Sequence, residues 1–267
     1  MYTDDELKKL VLEVNNIARG AGDIIRNYFN SDFEVIIKED HSPVTTADLA
    51  ANEYIENKLQ SLTPTIPILT EESTITAYQE RKDWEMLWLV DPLDGTRQFI
   101  KNKPDFTVNI SLIYRQKSVM GSIYLPIADE IYFASNNSGA FVCKQQAAVT
   151  SISAQKNISE VIRVCGNRES HGKSTRHFVG HLAKHDFVSR GSSIKSCLIA
   201  EGSADIYPRF GPTWEWDTAA AQCIVEQAGG KLTDTSMKPL IYNKESLLNP
   251  SFLAFGDQSI NWQKFCP

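Results

Sequence analysis

Trp88-Leu-Val-Asp91-Pro-Leu-Asp94-Gly-Thr96 sets two carboxylates three residues apart at the end of an apolar run. Leu87 to Val90 has the length of a buried strand. Pro92 lacks an amide hydrogen, so ladder pairing is expected to stop at Asp91, and Gly95 permits a tight turn. Thr96 follows, and Arg97-Gln-Phe-Ile-Lys101 reads as the start of a helix. Paired carboxylates at a strand end suit hard cations, which take oxygen ligands. A helix start beside them suits a phosphate. Asp-Pro and Asp-Gly are also ordinary turn formers, so by itself the segment reads equally as a surface turn.

Upstream, Ile66-Pro-Ile-Leu69 is a short strand that runs into Thr70-Glu71-Glu72-Ser73. Adjacent glutamates at a strand end are usually solvated. These matter only if the fold brings them to Asp91 and Asp94. Near the N-terminus, Thr3 and Glu6 form a capping-box pattern. Leu7, Leu10, Val11, Val14, Ile17, Ala18, Ala21, Ile24 and Ile25 then recur at helical spacing, which predicts a long amphipathic helix with a core-facing stripe. Phe33 to Lys38 reads as a strand, and residues 41–48 as a polar loop entering a second helix. Leu49, Ala50, Tyr54, Ile55, Leu59 and Leu62 are its expected apolar face. Asp48 falls in or just before the first turn, where a carboxylate suits the helix dipole whether or not it has another task. Glu80 to Glu85 is a charged connector.

Downstream, the pattern changes to period two. Val108–Tyr114, Val119–Leu125, Glu130–Ala134 and Ala140–Cys143 read as strands of a mainly antiparallel sheet. Residues 144–158 are polar and connect to a second half, which divides the chain into 1–145 and 146–267. That half alternates. Strands are expected at Val161–Cys165, Phe187–Ser189 and Ala204–Tyr207, and helices at Ser174–Lys184, Ser192–Ala200 and Thr218–Ala228. The last helix is closed by Gly229-Gly230. Asp217 is a candidate N-cap for it, and also a candidate acid for a cleft between the halves.

With 267 residues, 42% hydrophobic and 22% charged, the chain can bury a sizeable core. A formal net charge of −6 argues against a nucleic-acid polymer as partner, but not against a small nucleotide in a locally basic pocket. No apolar stretch approaches the roughly 20 residues that span a bilayer. Five dispersed cysteines point to free thiols in a reducing compartment, with Cys197 and Cys223 in the core. Gly172-Lys173-Ser174 has the look of a phosphate loop, but the spacing back to Gly166 is one residue too long, so it reads as a turn and cap. His177, His181 and His185 stand four apart on a predicted helix, without the glutamate base of a zinc protease.

Glu71, Asp91, Asp94 and Asp217 each follow a strand or precede a helix. With Thr45-Thr-Ala-Asp48, Asp94-Gly-Thr96 and the distant Trp216-Asp-Thr-Ala-Ala220, they resemble the signatures of the magnesium-dependent, lithium-sensitive phosphatase superfamily that includes inositol monophosphatase and fructose-1,6-bisphosphatase. The segments Asp40–Asp48, Asp94–Lys101, Gly191-Ser-Ser-Ile-Lys195, Tyr207–Pro212 and Glu245–Pro250 are most similar to its bisphosphate nucleotidase branch. The resemblance implies a mixed α+β and α/β chain layered α-β-α-β-α, with the active site between its halves. It implies that Glu71, Asp91, Asp94, Asp217 and the Leu93 carbonyl ligate two or three magnesium ions. Thr96 would hold the attacking water, with Asp48 polarising Thr96 and Glu71 also taking part in catalysis; Glu72 matches a further acid nearby. The Gly95 and Thr96 amides would hold the scissile phosphate. Glu71, Leu93, Asp94 and Asp217 would border the substrate, and Lys195 and Arg209 would bind its second, 5'-phosphate. The implied substrate is a small nucleotide, adenosine 3',5'-bisphosphate, with 3'-phosphoadenylyl sulfate as a second one. An inositol-monophosphate-type substrate is the alternative. The resemblance also implies a cytoplasmic protein and leaves oligomeric state and peripheral membrane attachment open.

Overall fold

The computed structural model describes residues 2–29, 31, 33–38, 42–166 and 172–267. Asp40 and His41, which open one of the motifs above, and the five residues between Gly166 and Gly172 lie outside the described set.

Helix α1 (Asp4–Phe29) starts on the expected capping box: the Thr3 amide donates to the Glu6 carboxylate at 2.7 Å, and the Glu6 amide to the Thr3 hydroxyl at 3.3 Å. Strands β1 (Val35–Ile37) and β2 (Pro43–Thr45) form an antiparallel hairpin, so part of the predicted polar loop is a strand. Helix α2 (Thr46–Leu62) follows directly. Its buried stripe runs through Ala47, Ala51, Ile55 and Leu59, an i, i+4 row. Leu49 and Leu62, expected inside, are exposed, because they lie off that row.

Strand β3 (Ile68–Thr70) pairs in parallel with β4 (Met86–Asp94). The connector between them contains a short helix, α3 (Tyr78–Arg81). Arg81 is not solvated as its charged surroundings suggested. It is buried, and its guanidinium donates to the Asn243 side chain at 2.8 Å and to the carbonyls of Thr76 and Glu245. Strand β4 also departs from expectation. It continues past Pro92 to Asp94, with a register shift between the Asp91–Asn109 and Asp94–Thr107 pairs. A bulge leaves residues unpaired, so Pro92 sits where no ladder hydrogen bond is required.

A short helix α4 (Thr96–Ile100) leads to the meander β5 (Thr107–Tyr114), β6 (Lys117–Leu125), β7 (Glu130–Ser135) and β8 (Ala140–Lys144). Strand β9 (Thr150–Ile152), inside the polar connector, pairs with β8 and completes a seven-stranded sheet ordered β3-β4-β5-β6-β7-β8-β9. The rest of the chain contributes β10 (Ile162–Cys165), α5 (Lys173–Gly180), β11 (His185–Val188), α6 (Ile194–Ala200), β12 (Ile206–Arg209), α7 (Glu215–Gln227), β13 (Lys231–Asp234) and β14 (Phe252–Phe255). The second sheet runs β11-β10-β12-β14-β13 and is mixed rather than alternating throughout. β10 pairs in parallel with β11 and β12, while β14 is antiparallel to β12 and β13. Helix α5 ends before His185, so the three histidines do not share a helix.

Successive residues of β4 separate the layers. Trp88 and Val90 join the core under α1 and α2, whereas Leu87 and Leu89 join a core with α6, α7 and the second sheet. A third core lies between the far face of that sheet and α5 with the C-terminal turn. The order is therefore α-β-α-β-α. Among the described residues no helix is long and apolar enough to cross a membrane.

Candidate active site

The parallel register of β3 on β4 sets Thr70 opposite Val90, and the Glu71 amide donates to the Val90 carbonyl at 3.2 Å. Glu71 thereby comes out of β3 beside Asp91. Asp91 is almost wholly buried, and one of its oxygens accepts the Leu93 amide at 3.0 Å, a local turn that fixes the carboxylate. The third acid arrives from α7. Asp217 is not the N-cap predicted for that helix but its third residue, because α7 begins at Glu215 and Trp214 is the cap. The Asp217 carboxylate accepts the Trp214 amide at 2.7 Å. Glu71, Asp91 and Asp217 each place a carboxylate oxygen within 4.8 Å of the others.

Asp94 stands beside this trio but outside it. Its Oδ2 accepts the Ser192 hydroxyl at 2.6 Å and the Ser193 amide and hydroxyl at 2.7 Å each. Thr96 donates its hydroxyl toward Asp48 Oδ1 at 3.0 Å, with the Leu93 carbonyl at 3.2 Å. Asp48 is buried. Its other oxygen accepts the Thr45 amide at 2.8 Å and the Thr45 hydroxyl, which completes a capping box on α2. Asp48 thus caps its helix with one oxygen and holds Thr96 with the other.

The electrostatics of the cluster suit a cation. Burial, and then the neighbouring Asp217, Glu72 and Asp94, push the Glu71 carboxyl up to about 8, although Lys38 opposes the shift. Burial and the Asp94 charge raise Asp217 to about 7, and burial with Glu71 raises Asp91 well above the carboxylate range. Carboxyls raised in this way hold protons in preference to bare charges. A divalent cation replaces such protons. An all-oxygen donor set of this spacing fits a hard ion, whose ligand oxygens lie about 2.0–2.6 Å from it.

Lys195 and Arg209 line a cavity of about 370 Å³ together with Asp94, Gly95, Ser193 and Asp217. Both are half-buried rather than solvated. The Lys195 ammonium lies 5.1 Å from the Tyr207 ring centroid and 3.4 Å from the Arg190 carbonyl. Arg209 donates to the Pro212 carbonyl at 3.1 Å, and its Nε is buried with no partner. Gly95 and Thr96 line an adjoining hollow with Glu71.

Sequence reasoning gave no task to two further groups. Lys38, at the end of β1, sits 2.7 Å from the Glu72 carboxylate and 3.5 Å from Glu71. Ser192 and Ser193 hold Asp94. The Phe33–Lys38 strand and the Gly191-Ser-Ser run are weak signals, since neither spacing points to the acids they meet.

A layered fold with buried carboxylates at the ends of two strands and the start of a helix defines a family of metal-dependent phosphatases. The chain belongs to the inositol monophosphatase family, whose model matches residues 7–263. It is 37% identical over 257 residues to the 3'(2'),5'-bisphosphate nucleotidase CysQ of Haemophilus influenzae, covering 95% of each chain. To the protein of the same name from Escherichia coli K12 it is 40% identical over 243 residues, covering 90% of this chain and 97% of that one. Among solved structures, CysQ from Bacteroides thetaiotaomicron superposes with a TM-score of 0.82 at 35% identity, over 94% of this chain and 98% of the other.

Proposed function

We propose that this chain is a magnesium-dependent 3'(2'),5'-bisphosphate nucleotidase: it hydrolyses the 3'-phosphate of adenosine 3',5'-bisphosphate to AMP and phosphate, and accepts 3'-phosphoadenylyl sulfate. The observation that carries this reading is the convergence of Glu71, Asp91 and Asp217 within 4.8 Å, beside a cavity whose walls carry Lys195 and Arg209.

Glu71, Asp91, Asp217, Asp94 and the Leu93 carbonyl would hold two or three magnesium ions, which supply charge stabilisation to the phosphoryl oxygens and a more acidic water. Thr96 Oγ1 donates its hydrogen bond to Asp48 Oδ1, so its lone pairs are left to accept a hydrogen from the attacking water. That fixes where the water sits and which lone pair it aims at phosphorus. Glu71 borders the same hollow as Thr96 and shares in placing that water. The Gly95 and Thr96 amides donate to the scissile phosphate, and Lys195 and Arg209 hold the phosphate that is retained. Burial lowers the Lys195 ammonium below its ordinary value, with Asp94 opposing, and an incoming phosphate would favour its charged form.

The same acids would serve an inositol-monophosphate phosphatase. Arg209 and Lys195 favour the nucleotide, because a second phosphate needs cations where a sugar hydroxyl needs an acceptor. Steady-state hydrolysis of adenosine 3',5'-bisphosphate and of inositol 1-phosphate tests the choice. The expected result is faster hydrolysis of the nucleotide than of the inositol ester, with activity that depends on magnesium and is lost in Asp94→Ala. Preference for the inositol ester would overturn the substrate assignment, and full activity of Asp94→Ala would overturn the metal assignment.

A further inference from the structure

The wall formed by Arg190, Lys195, Tyr207 and Arg209 belongs to two cavities, not one. Behind it lies a second space of about 330 Å³, floored by Lys173, Ser174 and Thr175 at the start of α5. The two differ in charge. The first is bordered by Asp94, Asp105 and Asp217 as well as by cations. Among the described residues lining the second there are four cations, Lys173, Arg190, Lys195 and Arg209, and no carboxylate. Arg190 is paired with Asp105 at 3.3 Å, but like charges around a hollow still repel one another, and an anion relieves that repulsion. Arg209, common to both spaces, keeps its buried Nε–H without a partner. An unpaired buried donor is costly, and a bound oxygen would satisfy it. The size of each cavity falls in the range of small-molecule sites, about 300–1,000 Å³.

We propose that the second cavity is a subsite for the distal group of an extended 5' chain, a phosphoryl or sulfuryl group joined through the retained 5'-phosphate. This inference rests on the nucleotidase reading above and names the substrate class more closely: 3'-phosphonucleotides that carry a 5'-diphosphate or 5'-phosphosulfate. The 5'-phosphate lies at the shared wall of Lys195 and Arg209. The next tetrahedral anion passes through it toward Lys173, Ser174 and Thr175. The reaction is unchanged. Water adds to the 3' phosphorus, the bond from that phosphorus to the ribose oxygen breaks, a proton passes to that oxygen, and the 5' anhydride stays intact.

Lys173 distinguishes the two spaces, because it lines the second and not the first, and its exposure makes it safe to replace. Phosphate release is measured for wild type, Lys173→Gln and Lys173→Arg with adenosine 3',5'-bisphosphate, 3'-phosphoadenosine 5'-diphosphate and 3'-phosphoadenylyl sulfate. In Lys173→Gln the kcat/KM for the extended substrates, relative to that for the bisphosphate, should fall about tenfold, the order of one charge-assisted contact. The fall should lie in KM, and Lys173→Arg should restore it. A loss with both distal groups shows recognition of any tetrahedral anion, and a loss with one names it. An unchanged ratio, or an equal loss on all three substrates, overturns the subsite. If wild type leaves adenosine 3',5'-bisphosphate intact, the nucleotidase reading itself fails and the subsite falls with it.

Discussion

Glu71 and Asp217 hold protons at pH values where ordinary carboxylates are charged, at about 8 and about 7 against ordinary values of 4.5 and 3.8. In the metal-free chain the folded state therefore binds more protons than the unfolded state throughout that interval. Stability from these groups is full below the unfolded values and is lost as pH rises through 7 to 8. Melting of the chelator-treated protein should show it: the melting temperature of wild type relative to Glu71→Gln falls between pH 5 and pH 8.5. Magnesium should raise the melting temperature more at pH 8 than at pH 6, since protons compete for the same oxygens. A difference that stays flat with pH would mean that Glu71 is an ordinary solvated acid. Thr96→Val keeps the shape of the side chain but removes the hydroxyl that, in the proposed function, positions water. It should lower kcat about a hundredfold with KM little changed. A loss confined to KM would place Thr96 in substrate binding instead. The acids, Thr96 and Asp48 were legible at this scale only as residues at strand ends and helix starts; that they meet came from the resemblance, because no local signature states which ends converge. The serine pair on Asp94 and the lysine on Glu71 and Glu72 were not, because each contact joins residues far apart whose local surroundings are those of any polar loop.

Elements were legible in proportion to the length of their pattern. The strands β5 to β8 and helix α1 announce themselves by unbroken periodicity. Three-residue strands such as β2 and β9 exist only through their neighbours, and β13 and β14 follow a helix in a region of turns. Strand β4 is instructive, since Pro92 is a strand breaker by its chemistry and is tolerated only through the bulge. Helix α7 is buried on consecutive residues from Thr218 to Val225, the mark of a helix packed on all sides. Its backbone lies directly on β6: a Cβ added to Gly121 would come within 2.4 Å of the Ala220 carbonyl oxygen. Neither backbone can yield without moving an element. Gly121→Ala should therefore destabilise by about 2 kcal/mol and lower the melting temperature by about 4–8 °C, read by calorimetry. An unchanged melting temperature would show that α7 slides freely over the sheet.

At the scale of the molecule, the order of the layers came from family resemblance, because nothing local states which two sheets α7 separates. One continuous core answers this. It joins Leu87 and Leu89 of β4 to Ala219, Cys223 and Ile224 of α7 and on to Phe252 and Ala254 of β14. Arg81, before β4, is likewise held by Asn243 and Glu245 from the far end of the chain. The first sheet therefore presents one of its two faces to residues that come after position 146. A fragment of residues 1–145 would expose that face, would lose β9 from the edge of β8, and would lack the Asp217 carboxylate. Apolar burial at about 25 cal/mol per Å² is the main term opposing chain entropy, and removing a whole layer from one face takes away far more than the few kcal/mol of a typical net stability. The full chain should unfold in one cooperative transition, with tryptophan fluorescence and circular dichroism coincident in urea. The fragment should show no such transition and should bind hydrophobic dyes. Two separated transitions in the full chain, or a sharp unfolding curve for the fragment, would show that the halves fold on their own and that the cluster of Glu71, Asp91 and Asp217 is assembled only when they dock.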